Sequence, residues 1–159
     1  MAETDLHRQT ALDDLVAAHA KQPGALLPVL HAIQDSFGYI PPEHVGRIAD
    51  ALNLSRAEVH GAISFYPYFR QQPPGRHILQ VCRAEACQAM QGERTEQHAK
   101  HCLGVDYGGT SADGLFTLEP AYCLGNCAAA PSVMVGEKLY GRVTPERLDE
   151  VLADWRNPS

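Results

Sequence analysis

The sequence predicts an α+β protein in which an N-terminal helical region precedes a small sheet covered by helices. Up to about residue 66 the apolar side chains recur at helical spacing, whereas residues 77–140 contain several short strand-like runs. Between the two regions lies Gln71-Gln72-Pro73-Pro74-Gly75, whose composition is typical of a linker. We therefore expect two domains, residues 1–72 and residues 76–159.

Four short amphipathic helices are predicted in the N-terminal region, where they can bury their apolar faces against one another. Gly38 ends the second helix, Pro41-Pro42 starts the third, and Ser55 with Glu58 forms a capping box before the fourth. The predicted apolar faces consist of Leu12, Leu15 and Val16, then Leu26, Leu27, Leu30, Ile33 and Phe37, then Val45, Ile48, Ala49 and Leu52, and finally Val59, Ala62, Ile63 and Tyr66.

The segment from Ala49 to Phe65 also has the length and the central turn of a helix-turn-helix. Its second helix offers only Arg56 and His60 as basic groups, on an acidic domain. DNA-binding surfaces neutralise phosphates with clusters of Lys and Arg. Core packing is therefore the favoured interpretation of this segment, and nucleic acid is not expected as a partner.

The C-terminal region has the predicted order β-α-β-β-β-α. Its first helix runs from about Ala89 to about Cys102, and Thr144 caps a last helix that has Pro145 at its first position. Gly136-Glu137 forms the turn of a hairpin. The predicted strands are His77 to Val81, Leu115 to Ala121, Ser132 to Val135 and Lys138 to Tyr140, and the last helix has Leu148, Val151, Leu152 and Trp155 on its inner face.

The composition is that of an ordinary soluble globular protein, with 45% apolar and 20% charged residues and a formal net charge of −6. The start of the chain has no cationic segment followed by an apolar one, so no secretory signal is expected. No apolar run approaches the roughly 20 residues that span a bilayer. We therefore expect a cytoplasmic protein without direct membrane contact, whose thiols stay reduced.

Four of the five cysteines form two short-spaced pairs, Cys82-x4-Cys87 and Cys123-x3-Cys127, each just after a predicted strand. Four converging thiolates suit either a [2Fe–2S] cluster, with one local pair on each iron, or a structural zinc site. The spacing favours the cluster, and zinc remains the alternative. Thiol redox catalysis is disfavoured because neither pair has the Cys-x2-Cys spacing.

The loop between Cys123 and Cys127 is suited to arching over a bridging sulfide. Gly125 permits a positive φ and close approach of the backbone, and Asn126 also tolerates a left-handed conformation. Backbone N–H groups in such a loop can donate to sulfur and raise the reduction potential. Arg83, beside the first pair, is a further candidate for offsetting the charge of a reduced cluster.

A second set of candidate metal ligands, His98-x2-His101-Cys102, lies near the end of a predicted helix. Such a set is more often a solvated helix face with one buried thiol, which is the favoured interpretation. Asp149-Glu150, like Asp13-Asp14, is interpreted as solubilising charge on an exposed helix face. No nucleotide, flavin or substrate site is predicted within the chain, because the sequence contains none of the glycine-rich phosphate-binding or nucleophile-elbow motifs.

Several segments between about Leu26 and Trp155 carry a more specific pattern than the cysteines alone. They are Phe37-Gly38-Tyr39-Ile40-Pro41-Pro42, Glu58-Val59-His60-Gly61-Ala62-Ile63-Ser64-Phe65-Tyr66, Val81-Cys82 with Cys87, Glu119-x3-Cys123-Leu124-Gly125-Asn126-Cys127 with Pro131, and Gly141-Arg142-Val143-Thr144-Pro145-Glu146. In these segments the chain resembles the thioredoxin-like [2Fe–2S] ferredoxin subunits of NAD-linked electron-transfer complexes, a family that includes the small flavoprotein-module subunit of respiratory complex I.

The resemblance implies a thioredoxin-like α/β domain after the helical bundle. It implies one [2Fe–2S] cluster with Cys82, Cys87, Cys123 and Cys127 as its ligands, and it leaves Cys102 outside that set. It further implies docking beside a larger flavin subunit, with whose FMN the cluster exchanges electrons. The chain would then be a non-catalytic electron-transfer subunit of an oxidoreductase.

Within the family, the segment from Cys82 to Met90 is most similar to the gamma subunit of soluble, molybdenum-containing, NAD-dependent formate dehydrogenases. This resemblance implies a flavin- and NAD-binding beta-type partner and an alpha-type partner with the molybdenum cofactor and further iron–sulfur centres. The equivalent subunit of complex I and the diaphorase subunit of an NAD-linked hydrogenase are the alternatives. A zinc-stapled protein-interaction module is the alternative from a different class.

Overall fold

The computed structural model describes the backbone of residues 2–156 and the side chains of residues 9–156. The chain divides into two compact units, Met1–Pro73 and Pro74–Ser159, and the division falls within the proline-rich segment. No helix among the described residues combines the length and the apolar character needed to cross a membrane.

The first unit is helical, and several of its helices start or end at the capping residues predicted from the sequence. Gly38 and Asn53 end two of the helices in the left-handed conformation, with φ of 80° and 53°. The capping box of Ser55 and Glu58 is formed in full at the start of the last helix. The helices are α1 (Ala2–His19), α2 (Leu26–Phe37), α3 (Val45–Leu52) and α4 (Arg56–Phe65), and a 3-10 turn at Pro42–His44 precedes α3.

One apolar core holds the first unit together. Val59 and Ile63 of α4 are buried in it, which confirms core packing as the interpretation of the segment from Ala49 to Phe65. The sequence predicts Tyr66 on the inner face of this helix, but Tyr66 is 40% exposed because the helix ends at Phe65. The other fully buried members include Leu12, Val29, Leu30, Ile33, Ile40 and Ile48.

A buried glutamine fastens the end of the first unit to α2. Gln34 is 2% exposed, and its Nε2 donates to the carbonyl of Tyr68 at 2.7 Å. Its Oε1 accepts from the backbone N–H of Arg70, also at 2.7 Å. Both ends of the amide are therefore satisfied, as a buried polar group requires.

The second unit contains a four-stranded mixed sheet with the order β2-β1-β3-β4. β1 pairs parallel with β2 and antiparallel with β3, and β3 pairs antiparallel with β4. The four strands are β1 (His77–Cys82), β2 (Phe116–Ala121), β3 (Val133–Val135) and β4 (Lys138–Tyr140), and every end lies within one residue of its predicted bound.

Helices and strands of the second unit share one core. α6 (Gly92–Leu103) links the parallel strands β1 and β2, and α7 (Pro145–Arg156) follows β4. The buried residues of this core are Leu79 and Val81 of β1, Phe116 and Leu118 of β2, Val133 and Val135 of β3, Ala99 and Leu103 of α6, Val143, and Leu148, Val151 and Leu152 of α7.

The predicted single helix from Ala89 to Cys102 is wrong in its first part. A separate short helix, α5 (Glu85–Ala89), begins in the spacer of the first cysteine pair and contains Cys87, and α6 begins only at Gly92. Gln91 separates the two helices with φ of 64°, a left-handed conformation that few non-glycine residues adopt. The observed order is therefore β-α-α-β-β-β-α.

Candidate metal centre

Parallel pairing of β1 and β2 brings the two cysteine pairs to one edge of the sheet. Cys82, the last residue of β1, lies opposite Ala121, the last residue of β2. The Arg83 N–H continues the ladder by donating to the Ala121 carbonyl at 2.7 Å. Because Cys123 follows Ala121 by only two residues, the strand ends bring together segments that are distant in sequence.

The first pair is almost fully buried. Cys82 ends β1 and Cys87 lies in α5, with 3% and 2% of their surfaces exposed. The Cys87 N–H donates to the Ala84 carbonyl at 2.9 Å, in the first turn of α5. Both cysteines pack with Ala130 in a small apolar cluster. Leu124, which lies between Cys123 and Cys127, also contacts this cluster.

The second pair lies in an exposed loop after β2. The Sγ atoms of Cys123 and Cys127 are 4.0 Å apart, close to the roughly 3.8 Å that separates two thiolates on one tetrahedral metal ion bound at about 2.3 Å. Gly125 has φ of 73°, and its N–H donates to Cys123 Sγ at 3.3 Å. The predicted positive φ at Gly125 and a backbone hydrogen bond to sulfur are both present.

Asn126 does not use the left-handed conformation that its residue type would tolerate, since its φ is −112°. Its side chain instead donates through Nδ2 to Ser132 Oγ at 3.2 Å. Ser132 is 1% exposed, and its carbonyl accepts from the Cys82 N–H at 3.1 Å. Asn126 and Ser132 therefore connect the second loop to the end of β1, where the first pair begins.

The electrostatics of the thiols indicate that the two pairs are close together. Burial raises the pKa of Cys87 to about 11, with smaller contributions from Cys82 and Cys127. The pKa of Cys127 is also raised, chiefly by contact with Cys123 and to a smaller extent by Cys82. Such thiols stay protonated at neutral pH until a metal ion stabilises their thiolates. Four adjacent sulfur donors fit an iron–sulfur or a zinc centre.

Two glycines that sequence reasoning did not single out make the site sterically feasible. A Cβ on Gly141 would lie 2.8 Å from both Ala129 Cβ and Asn126 Nδ2. A Cβ on Gly92 would collide with the backbone of Cys87. Gly141 meets Ala129 and Asn126 through packing of segments more than ten residues apart, whereas Gly92 meets Cys87 across the short turn at Gln91.

Arg83 is held by a partner other than the cysteines. Its Nε donates to Glu96 Oε2 at 2.9 Å, and its guanidinium stacks 5.5 Å from the ring centre of Tyr107. Interaction with Glu96 raises the pKa of Arg83. The expectation that Arg83 offsets charge at the cysteines is weakened, since its own charge is already paired.

Cys102 lies in α6 and has no contact with the four-cysteine site among its hydrogen bonds. Its Sγ meets His98 Nε2 at 3.3 Å and Asp149 Oδ1 at 3.5 Å. His101, the third member of the predicted set, is exposed and does not take part. Asp149 lies on an exposed helix face as predicted, with 57% of its side chain exposed, but its carboxylate also contacts His98 and Cys102.

Comparison with known protein families assigns the chain to one of them. Residues 12–156 match the family model described as thioredoxin-like [2Fe-2S] ferredoxin, which covers most of the chain. The protein therefore belongs to the thioredoxin-like [2Fe–2S] ferredoxin family.

Its relatives include subunits of two kinds of oxidoreductase. The chain is 38% identical over 135 residues to the NADP-reducing hydrogenase subunit HndA of Solidesulfovibrio fructosivorans, covering 85% of this chain and 79% of HndA. It is 35% identical over 150 residues to NADH-quinone oxidoreductase subunit 2 of Thermus thermophilus, covering 91% of this chain and 83% of that protein. A relative from the NADH-quinone oxidoreductase of Mycobacterium bovis is 33% identical over 144 residues, and this chain spans only 57% of its length.

A solved structure shares the fold. The crystal structure of an NAD+-reducing [NiFe]-hydrogenase in the air-oxidized state aligns with a TM-score of 0.64 and 18% sequence identity. The alignment covers 80% of this chain and 22% of the hydrogenase chain. At this identity the similarity establishes the architecture alone.

Proposed function

We propose that this chain carries one [2Fe–2S] cluster on Cys82, Cys87, Cys123 and Cys127 and transfers electrons within an NAD-linked oxidoreductase of the cytoplasm. The observation that carries the proposal is the meeting of a buried and an exposed cysteine pair at the adjoining ends of β1 and β2. When bound, a [2Fe–2S] cluster accepts and releases one electron at a time.

The two pairs would contribute differently to this role. The buried pair, Cys82 and Cys87, would keep water from one side of the centre. The second pair lies in an exposed loop beside Tyr122, whose surface is 67% exposed, so this side offers the shorter path to a partner. The Gly125 N–H that donates to Cys123 Sγ would stabilise the added negative charge of the reduced state.

The complex that we propose is an NAD-dependent formate dehydrogenase. The support for this choice is the resemblance of the segment from Cys82 to Met90 to the gamma subunits of the molybdenum-containing enzymes. A beta-type partner would bind FMN and NAD, and an alpha-type partner would oxidise formate at a molybdenum cofactor. This chain would exchange electrons with the FMN and would not catalyse the overall reaction.

A second candidate is the equivalent subunit of an NAD(P)-linked hydrogenase or of NADH-quinone oxidoreductase. The names of the relatives favour it, since the 38% identical HndA is a subunit of an NADP-reducing hydrogenase and the Thermus relative is subunit 2 of NADH-quinone oxidoreductase. These candidates share the electron-transfer role and differ only in the partner that supplies or accepts the electrons.

The nature of the metal centre is tested on the purified chain. A [2Fe–2S] protein is red-brown, contains two iron atoms per chain and becomes paramagnetic on one-electron reduction. A colourless protein that contains zinc and no iron would overturn the electron-transfer proposal. It would support a zinc-stapled interaction module.

The identity of the complex is tested by purifying a tagged form of this chain with its partners from native cells. Formate-dependent reduction of NAD that follows the tag would support the formate dehydrogenase. A complex that oxidises NADH, or reduces NAD with hydrogen, but ignores formate would reject it in favour of the second candidate.

A further inference from the structure

Three potential metal ligands of different chemistry meet between α6 and α7. His98 and Cys102 are one helical turn apart on α6, and Asp149 comes from α7. His98 Nε2 lies 2.8 Å from Asp149 Oδ1 and 3.3 Å from Cys102 Sγ, and Cys102 Sγ lies 3.5 Å from Asp149 Oδ1. We infer that His98, Cys102 and Asp149 form a binding site for a divalent transition-metal ion, with zinc as the preferred ion.

The three distances are close to those of a tetrahedral site. Bonds of about 2.0–2.3 Å to nitrogen, oxygen and sulfur place neighbouring ligand atoms about 3.3–3.8 Å apart. The two distances that involve Cys102 Sγ already match. The distance between His98 Nε2 and Asp149 Oδ1 must increase by about half an ångström, which a small rotation of the 57% exposed aspartate side chain allows.

One nitrogen atom contacts both of the other ligand atoms. His98 Nε2 carries at most one hydrogen, yet it faces a thiol and a carboxylate at the same time. A metal ion just outside the plane of these three atoms would bond directly to each of them, as in a tetrahedral site. It would leave a fourth position for water.

The helices that present the ligands are held firmly together. Thr95, one turn before His98 on α6, is 1% exposed and donates through Oγ1 to the Val143 carbonyl at 2.7 Å. Ala99 of α6 and Leu148 of α7, which flank the ligands in sequence, are both fully buried in the same core. Prearranged ligands on packed helices lower the cost of ordering a metal site.

An ion can reach the site from solvent. His98 is 26% exposed and also lines an open cleft of about 420 Å³ together with Glu93, Arg94, Gln97 and Pro145. The combination of thiolate, imidazole and carboxylate suits zinc better than the hard cations Mg²⁺ or Ca²⁺, which prefer oxygen ligands alone. The bound ion would fasten α6 to α7.

The test uses the cluster-loaded full chain, washed with a chelator and then dialysed against zinc buffered at micromolar free concentration. Zinc and iron are counted by elemental analysis, and thermal unfolding is recorded with and without zinc. We expect one zinc per chain, unchanged iron and an increase in Tm of at least about 5 °C at saturating zinc.

Three substitutions address the ligands one at a time. His98→Ala, Cys102→Ser and the isosteric Asp149→Asn should each weaken zinc binding at least about tenfold and reduce the zinc-dependent shift in Tm. His101→Ala and Glu150→Gln, on the same two helices, are the matched controls and should bind zinc as the original chain does. All variants should retain their iron, because the four-cysteine site is unchanged.

Three results would overturn the inference. The first is a chain that retains no zinc at micromolar free zinc. The second is a triple variant, H98A/C102S/D149N, that retains as much zinc as the original. The third is uptake of zinc only at the expense of iron, which would assign the zinc to the four-cysteine site.

Discussion

The Cα of Gly92 faces the carbonyl of Cys87 so closely that an added Cβ would lie 2.6 Å from the Cys87 oxygen and 2.9 Å from its carbonyl carbon. This contact allows α6 to begin directly over the end of α5, in which Cys87 lies. The path of the chain from Cys87 into α6 therefore leaves no room for a side chain at residue 92.

Gly92→Ala should therefore damage the metal centre. The clash is with backbone atoms and cannot be relieved by a side-chain rotation, so we expect a loss of about 1–3 kcal/mol in the free energy of unfolding and less iron per chain. Gly61→Ala is the matched control, since an added Cβ there has no neighbour within 4 Å and lies in α4. A Gly92→Ala protein with full iron content and unchanged Tm would show that the contact is unimportant.

Gly125→Ala should change the properties of the centre as well as its stability. Gly125 has φ of 73°, and a side chain in that region costs about 1–2 kcal/mol. If the loop relaxes, the hydrogen bond from the Gly125 N–H to Cys123 Sγ lengthens, so the midpoint potential should fall. Gly104→Ala, at φ of 66° after α6, controls for backbone strain and should leave the potential unchanged. Equal midpoint potentials in the two variants would show that this hydrogen bond does not influence the potential.

Arg83→Ala should lower the stability more clearly than it lowers the midpoint potential. The guanidinium is paired with Glu96, whose side chain is only 7% exposed, so its removal leaves a mostly buried carboxylate with Lys100 as its remaining ionic partner. We expect a lower Tm, and the double variant R83A/E96Q should recover part of the loss. A large fall in potential without a change in Tm would instead support the expectation that Arg83 offsets charge at the cysteines.

Replacement of each cysteine by serine should divide the five cysteines into two groups according to the iron content of the variants. Replacement of Cys82, Cys87, Cys123 or Cys127 by serine should reduce the iron content and the visible absorption, because each removes one of four thiolate ligands. Cys102→Ser should retain both signals, since that thiol contacts His98 and Asp149. Loss of iron from Cys102→Ser alone would mean that the ligand assignment is wrong.

The capping box predicts a pH dependence in the first unit. Hydrogen bonds from the Ser55 backbone and hydroxyl lower the pKa of Glu58 below its ordinary value of 4.5. Because the folded-state pKa is the lower one, this stabilisation is present above about pH 4.5 and is lost as the pH falls through the folded-state value. The difference in Tm between the original chain and Glu58→Gln should therefore shrink as the pH is lowered from about 5 to about 3. Glu150→Gln serves as the control, and a constant difference for Glu58→Gln would contradict the prediction.

Much of the local structure was predictable because its signals are local. Three kinds of feature follow from the residue types at or next to the position concerned. They are the helix end at Gly38 and the helix start at Ser55 with Glu58, the strand bounds, and the positive φ of Gly125. Membership of the family was likewise indicated by short segments in a definite order along the chain, and the family comparison confirmed it.

The helix break at Gln91 could not be predicted because no local signal requires it. The pattern around Ala89 is compatible with one continuous helix, and only the approach of Gly92 to the Cys87 carbonyl and the left-handed Gln91 decide otherwise. The pairing of Arg83 with Glu96 was unpredictable for the same reason, since these side chains are thirteen residues apart and meet only after α6 has packed against the end of β1.

The sequence by itself determined most of the element types, the family and which cysteines are candidate metal ligands, because these depend on residue type and on short spacing. The tertiary structure alone decided which distant groups meet: Cys82 beside the loop after Ala121 through parallel pairing, and Asp149 beside His98 and Cys102 through helix packing. Contacts of this kind arise from long-range packing of many weak interactions, and no short stretch of sequence contains both partners.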